Sequence, residues 1–363
     1  MAWAAPTSKA TGTLITAAIW LQDVVDNPIA LRAGGIAIAS QAALDFVYGS
    51  SATQLGRLAA GSALQAPRIN SAGTAWEFAT LVTPKSLCAG RLTLTTALPV
   101  TTADVTAATT VYWALYGGNQ VALYTGAAWT VVEVAELSIA VPGTTNTMYD
   151  AFVDYNAGTP VLAVTAWTND TTRATALTKQ DGVLVQTGNL DWRYVGSFRT
   201  TGVSGQTEDS YLRRLVWNYY HRKKRPLRMA PATDGWEYST ATIRQAEGST
   251  ANQVDGVIGV AEDAVVLQNH MSARSSVIDD QVVISIGQDA TNAIATGAFS
   301  ALAKTAVAGV NVSWTATYTA IPAAGYHYWP MLEYANAAGT VTWIGDNGAP
   351  TIVQNGLVGW VLG

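Results

Sequence analysis

The sequence predicts an all-β protein, and three observations lead to this prediction. Short runs rich in Val, Thr, Tyr and Trp recur along the chain, and Gly, Asn, Asp or Pro interrupt them at intervals of roughly ten residues. Apolar and polar side chains alternate within many of these runs, as in strands that bury one face of a sheet. No repeat with a period of about 20 to 50 residues is present, which favours sandwiches or barrels over a solenoid.

The composition indicates an oligomer. Charged residues make up 12% of the 363 residues, whereas 49% are hydrophobic and 13 are Trp. Soluble domains usually carry about 25% charged residues. A chain with so few charges has little with which to cover the surface of a monomer, so extended contacts between subunits explain the composition. A monomer whose surface is mostly Thr, Ser and Asn is the alternative.

The first predicted domain comprises residues 1–88, which are rich in Ala, Gly and Ser and hold only short apolar runs. Segments 41–51 and 54–59 read as small strands or turns around a Gly-Ser-Ser corner. Three copies that wind together would bury apolar side chains that a single copy leaves exposed. We therefore predict a trimerisation region here, and a homotrimer as the assembly.

Two β domains are predicted to follow, a central β-sandwich over 89–230 and a C-terminal jelly-roll-like domain over 231–363. The segment 210–220 fits both a helical period and strand alternation, and its Trp, Tyr and Val content favours a strand. The most clearly predicted strands are 111–116, 120–124, 129–133, 148–155, 160–167, 281–287, 311–318, 326–334, 339–345 and 356–363.

The sequence lacks the residues that several classes of function require. The net charge of -5 gives the whole molecule no attraction for nucleic acid, and no apolar run reaches the roughly 18 residues of a membrane span, so we expect neither nucleic-acid binding nor membrane insertion. A single cysteine, Cys88, permits no disulfide within the chain. The N-terminal residues lack the pattern of a signal peptide.

Catalytic and metal-binding patterns are also missing from the sequence. The acidic pairs Glu208–Asp209, Glu262–Asp263 and Asp279–Asp280 are poor acid–base dyads, because adjacent residues of a strand point to opposite faces. His221, His270 and His327 show no metal-ligand spacing. Neither a phosphate-binding loop nor a nucleophile elbow is present. We expect no enzymatic activity, no cofactor and no metal.

Two sets of residues are candidates for a ligand site or an interface. The first is the basic cluster, seven of the twenty cationic residues within sixteen positions: Arg213, Arg214, Arg222, Lys223, Lys224, Arg225 and Arg228. Beside aromatic residues it could bind single-stranded nucleic acid or an anionic glycan. The competing interpretation, which we favour, is an exposed corner at Arg222, Lys223, Lys224 and Arg225 whose cations pair with Glu208, Asp209 or a partner subunit.

The second candidate set is aromatic and could stack on sugars: Tyr326, His327, Tyr328, Trp329, Tyr334, Trp343 and Trp360. Strand alternation instead predicts that half of these residues are core, with Tyr326 and Tyr328 on one face and His327 and Trp329 on the other. From this set we take Tyr328, Trp329 and Trp343 as candidate ligand or interface residues.

Blocks along most of the chain resemble a family of structural proteins of tailed bacteriophages, found in fibres or spikes. The blocks are 40–61, 92–105, 120–124, 166–173, 180–185, 194–200, 208–210, 217–220, 342–346 and 356–359. Each is weak alone, and they are specific as a set. The resemblance implies a role in the virion, trimeric assembly and no known catalysis. It also implies that residues 1–88 attach to the particle and that the C-terminal domain faces outward.

These expectations combine into one functional hypothesis. The chain is expected to be a subunit of a trimeric fibre or spike in a tailed-phage virion, which binds other virion proteins and contacts a glycan or protein of the host surface. The alternative is a purely architectural neck, collar or head-decoration protein that never touches a receptor.

Overall fold

The computed structural model describes residues 10, 14, 16–21, 42–52, 54–62, 65–80, 84–346 and 354–363. Strands account for 51% and helices for 3% of the chain, so the prediction of an all-β protein is confirmed. The chain folds as two compact units, Met1–Val82 and Thr83–Gly363. Much of the predicted trimerisation region, including residues 22–41, lies outside the described residues. Within the described ranges, no helix is long and apolar enough to cross a membrane.

The first unit contains one helical turn and two hairpins: α1 Ala17–Trp20, β1 Phe46–Gly49, β2 Leu55–Leu58, β3 Gln65–Ile69 and β4 Trp76–Thr80. Strand β1 pairs with β2 and strand β3 with β4, both antiparallel. The ring of Trp76 lies 5.1 Å from that of Phe46, which joins the two hairpins. Leu55 and Ile69 stay 51% and 55% exposed, so the hairpins leave apolar surface uncovered.

The second unit holds the remaining strands. Its first half contains β5 Arg91–Thr93, β6 Val105–Ala108, β7 Thr110–Ala114, β8 Gln120–Tyr124, β9 Trp129–Glu133, β10 Leu137–Ala140, β11 Met148–Asp154, β12 Val161–Asn169, β13 Thr172–Arg173, β14 Leu177–Gln180, β15 Val183–Gln186, β16 Asn189–Arg199, β17 Thr207–Asp209, β18 Arg213–Arg214, β19 Val216–Asn218 and β20 Lys224–Met229. Its second half contains β21 Gly235–Glu237, β22 Arg244–Gln245, β23 Gln253–Ile258, β24 Val265–Ser275, β25 Gln281–Ile286, β26 Ala298–Phe299, β27 Ala301–Lys304, β28 Val312–Ala320, β29 Gly325–Ala335, β30 Val341–Ile344 and β31 Gly356–Leu362. In the segment 210–220, the preference for strand over helix is confirmed in part, since residues 213–214 and 216–218 form β18 and β19 and the rest is irregular.

Three large sheets organise this unit. The central sheet has the order β13-β12-β11-β16-β15-β14, with β19 also paired to β16. The bridging sheet has the order β27-β25-β29-β23-β18-β17-β6, with β22 on β29. The C-terminal sheet has the order β20-β31-β24-β28-β26, with β30 on β24 and β21 on β30. Smaller sheets are formed by β10-β7-β5 and by β8-β9.

Apolar cores lie on both faces of the central sheet. In β11, Tyr149, Ala151 and Val153 join one cluster of buried side chains, whereas Met148 and Phe152 join another. Because both faces are covered, nearly every residue of β11 is buried, including the polar Asp150. A third core lies between the bridging and C-terminal sheets, which face each other as in a β-sandwich.

The bridging sheet joins strands from both predicted β domains. Strands β17 and β18 belong to the range 89–230, and β18 pairs in parallel with β23 of the range 231–363, with Arg213 opposite Asp255. The two ranges therefore share one sheet. The division into three domains, 1–88, 89–230 and 231–363, stays a prediction.

Candidate functional site

The basic cluster is held largely by acidic side chains of the same chain. Arg222 binds Glu262 at 2.7 Å and also Asp263, and its guanidinium lies 5.4 Å from the centre of the Trp217 ring. Arg225 is only 7% exposed and binds Asp209 at 2.7 Å. Of the predicted pairings of this corner, the one with Asp209 is present through Arg225, whereas Glu208 lies near Arg213 and not near the corner. The prediction that the corner is exposed is wrong for Arg225.

The two lysines of the cluster remain exposed, and each lies over an aromatic ring. The ammonium group of Lys223 is 5.3 Å from the centre of the Tyr116 ring, and that of Lys224 is 4.5 Å from the centre of the Trp360 ring. A cation above an aromatic face is attracted by the negative charge density of that face. The four predicted residues Arg222 to Arg225 therefore do not form one continuous basic surface.

The aromatic candidate set is divided between core and surface. His327 and Trp329 are buried and Tyr326 and Tyr328 are half-buried, as alternation along β29 predicts. Trp343 is completely buried, and its indole nitrogen donates to the carbonyl of Tyr238 at 3.2 Å. Because Trp329 and Trp343 lie in the core between two sheets, neither can meet a ligand at the surface.

Of the acidic pairs, Glu208–Asp209 lies on a strand and its two side chains take different partners. The prediction of opposite faces is wrong for Glu262–Asp263, which lie in a turn and both bind Arg222. In β17, Asp209 binds Arg214 and Arg225, whereas Glu208 accepts a hydrogen bond from Ser210 and lies near Arg213. Over the described ranges, no group of three or more His, Cys, Asp or Glu residues could hold a metal ion.

A cleft of about 350 Å³ forms where the end of β16 meets the bridging sheet. We call it the polar cleft, after its lining: Asn146, Arg199, Thr201, Gly202, Arg213, Leu215, Thr250, Gln253, Asp255 and Tyr326. Arg213 and Asp255 are neighbours in the parallel pairing of β18 and β23, and the nitrogen Nε of Arg213 lies 3.2 Å from Oδ2 of Asp255. The register of β18 against β23 thus places the Arg213 and Asp255 side chains side by side in the cleft.

Another part of the polar cleft is held by Arg199. Its guanidinium donates to both carboxylate oxygens of Asp170, at 2.8 and 3.0 Å, and lies 3.9 Å from the centre of the Tyr326 ring. Gly325 permits this arrangement, because a Cβ at this position would lie 2.6 Å from the carbonyl oxygen of Asp170. The backbone nitrogen of Tyr326 then donates to that same carbonyl at 2.9 Å.

Asp255 is the buried carboxylate of the polar cleft, with a side chain only 6% exposed. Burial raises its pKa, while a hydrogen bond from Gln253 and the positive charge of Arg213 act in the opposite direction. The Nε2 atom of Gln253 donates to Oδ1 of Asp255 at 2.8 Å. Burial and the charge of Asp255 also raise the pKa of the Tyr326 hydroxyl, which therefore stays protonated.

Sequence reasoning missed this cleft apart from Tyr326 and Arg213, which it placed in other candidate sets. The remaining residues come from separate segments between positions 146 and 255 and form no motif. The one signal in the sequence was an isolated Asp within an apolar strand, Gln-Val-Asp-Gly-Val-Ile at 253–258. A carboxylate at a buried strand position must have a charged or hydrogen-bonding partner.

The comparisons with known proteins give no family. No protein-family model matches the chain, and no curated protein matches its sequence. Among solved structures, it is similar to the insecticidal delta-endotoxin Cry8Ea1 of Bacillus thuringiensis, with 9% identity, a TM-score of 0.23 and 72% of this chain covered. A tryptic core variant of Bacillus thuringiensis Cry1Da gives 5% identity, a TM-score of 0.20 and 70% coverage.

The chain covers 52% and 48% of the lengths of these two toxin structures, respectively. TM-scores this low support no inference about function.

Proposed function

We propose that the chain is a non-enzymatic structural subunit of a tailed-phage virion, which assembles as a homotrimeric fibre or spike and contacts the host surface. The proposal includes two β-sandwich or jelly-roll-like domains and attachment to the particle through residues 1–88. Its phage setting is supported by the sequence resemblance alone.

The observation that carries the trimer is the uncovered apolar surface of the two hairpins. Among the described residues, every member of the three apolar cores lies at or after Cys88. Two-stranded hairpins are at best marginally stable in water without further burial. Val47, Leu55 and Ile69 are 38%, 51% and 55% exposed, so copies of this segment would gain by packing on one another.

Sedimentation velocity of the full-length chain tests the assembly. We expect a trimer, and we expect Leu55→Glu to lower the trimer fraction because a carboxylate at a packed position must lose its water. Leu302→Glu is the matched control, since Leu302 is 58% exposed in the second unit and lies on β27. A stable wild-type monomer would overturn the trimer, and an equal loss in both variants would remove the hairpins from the interface.

Competition with phage adsorption tests host contact. Purified wild-type chain is expected to occupy the receptor on host cells and to reduce adsorption of the phage that carries it. If saturating protein leaves adsorption unchanged, contact with the host surface is not its role.

An architectural role is the second candidate, and one observation favours it. Both predicted ligand surfaces are largely occupied within the chain, because Arg222 and Arg225 bind acidic residues and Trp329 and Trp343 lie in the core. An architectural subunit would show trimer formation without competition for adsorption, so the same two measurements separate the candidates.

A further inference from the structure

We propose that the polar cleft binds a neutral sugar residue through hydrogen bonds with Arg213, Asp255, Gln253 and Asn146. This inference deepens the proposed function and rests on it for its biological setting, since it names the class of host molecule that the subunit contacts. The site itself is argued from the cleft alone.

The charges around the cleft favour a neutral ligand. Arg199 is matched by Asp170, and Arg213 is matched by Asp255 and by Glu208, whose carboxylate lies 3.6 Å from the Arg213 guanidinium. An anionic ligand would gain little from Arg199 and Arg213, because acidic side chains already neutralise both. A cationic ligand would gain little from Asp170 and Asp255, because both are already paired with arginines. Desolvating an additional charge here would therefore cost more than it returns.

The hydrogen-bonding groups of the cleft suit neighbouring hydroxyl groups. A sugar hydroxyl donates one hydrogen bond and accepts others. Arg213 can only donate and the ionised Asp255 can only accept, and their nearest atoms are 3.2 Å apart. Two adjacent hydroxyls can thus bind one to each side chain. Because the Asp255 side chain is only 6% exposed, a donating hydroxyl also replaces water that this carboxylate has lost.

The side chains of the cleft are held in place before any ligand arrives. Gln253 fixes one oxygen of Asp255, and Arg199 is clamped between Asp170 and the ring of Tyr326. Such preorganisation lowers the entropy lost on binding. Arg199 covers one face of Tyr326, so the site depends on hydrogen bonds rather than on stacking. We expect a dissociation constant on the order of 1 mM for a single sugar. A surface that displays many copies of the sugar would be bound more tightly by the three sites of a trimer.

The test is saturation-transfer NMR on the full-length chain. The probes are the methyl glycosides of glucose, galactose, mannose and N-acetylglucosamine, with acetate and glycine as anionic and zwitterionic probes. At least one glycoside should receive saturation, and acetate and glycine should not. If no glycoside receives saturation, or if acetate or glycine binds while the glycosides do not, the proposal is wrong.

Two variants locate the binding. Thr250 lies exposed on the rim of the cleft, so Thr250→Trp should fill it and weaken glycoside binding ~10-fold or more. Arg213→Gln should weaken it similarly without adding bulk. The control is Thr187→Trp, because Thr187 is exposed beyond the opposite end of β16, about 30 Å away along the strand. Equal binding by wild type and both cleft variants would place the sugar elsewhere and overturn the assignment.

Failure of this inference is distinguishable from failure of the proposed function. If no glycoside binds but the protein is a trimer that competes for adsorption, only the cleft assignment is wrong. If a glycoside binds in the cleft and the protein does not compete for adsorption, the site stands and the host-contact role falls.

Discussion

The hairpins of residues 42–80 and the central sheet of the second unit use similar apolar residues but cover them very differently. In the hairpins, Leu55 and Ile69 are more than half exposed. In the central sheet, Phe152 and Val153 are adjacent in sequence and both are buried, because each faces a different core. The difference lies in what covers the strand and not in the strand itself.

The two regions differ in how much apolar surface a single copy of the chain buries. A central sheet with cores on both faces needs no partner to bury its side chains. Two hairpins joined through Trp76 and Phe46 bury little beyond that contact. Truncating an apolar side chain should therefore cost far more stability in the central sheet than in the hairpins.

The largest effect is expected in the central sheet. Phe152→Ala should lower the free energy of unfolding by about 3–5 kcal/mol, because it removes a ring that is 1% exposed and leaves a cavity. Urea denaturation measures the loss, and Phe299→Ala, at a position 79% exposed, is the matched control. A similar loss in both variants would contradict the described burial.

The next effect is a pH dependence from Glu333, which is 1% exposed on β29. Burial raises its pKa to about 7, even though Trp236 and Arg244 both donate to its carboxylate at 2.7 Å. A carboxyl whose pKa is raised by folding binds its proton more tightly in the folded state. Stability should therefore fall as pH rises from about 4.5 to 7, by on the order of 3 kcal/mol.

Urea denaturation between pH 5 and 8, roughly the range in which stability usually peaks, measures this slope. Glu333→Gln should flatten it, whereas Glu237→Gln, at an exposed position of β21, should not. His327 contributes with the same sign. Burial lowers the pKa of His327, whereas hydrogen bonds to Asp289 and to the carbonyl of Ala323 raise it. The raising effects together outweigh burial, so the pKa of His327 lies above its usual value. If the unfolding free energy of Glu333→Gln varied with pH as steeply as that of the wild type, groups other than Glu333 would cause the pH dependence.

A smaller effect is expected at the corner of the basic cluster. Arg222→Ala should cost about 1 kcal/mol, because the guanidinium loses Glu262, Asp263 and the ring of Trp217 from a side chain that is 22% exposed. Thermal unfolding measures the cost, with Lys223→Ala as the exposed neighbour. If Arg222→Ala were neutral, the corner would behave like the hairpins and the contrast between the regions would weaken.

The smallest effect on stability is expected in the hairpins. Ile69→Ala should change the main unfolding transition by less than about 0.5 kcal/mol, because Ile69 contributes to none of the cores of the second unit. Calorimetry measures that transition, and sedimentation of the same variant should show a lower trimer fraction. A loss near that of Phe152→Ala would abolish the distinction between the two regions.

Most of the strands could be predicted from sequence, because alternation and turn residues are local signals. The runs 120–124 and 129–133 coincide with β8 and β9, and the ambiguous segment 210–220 contains the short strands β18 and β19. Sheet order could not be predicted in this way. Strand β18 has two residues, and its parallel pairing with β23 depends on contacts that no local pattern encodes.

The candidate sites were predicted less well, for a physical reason. Alternation correctly divided Tyr326 and Tyr328 from His327 and Trp329, but it gives no information on which face is covered by another sheet. The sequence makes Trp343 a candidate ligand or interface residue, yet it lies in the core between the bridging and C-terminal sheets and is completely buried. The polar cleft combines side chains from distant segments, so only the folded chain brings Arg199 near Asp255.

Strand β31 runs between β20 and β24, and both of its neighbours precede it by many residues. During synthesis, β20 and β24 leave the ribosome long before residues 356–362 are free to enter between them. Pairings this distant in sequence close slowly. The C-terminal sheet is therefore completed late, and a chain cut short before β31 would carry a gap in its sheet and expose the core beneath.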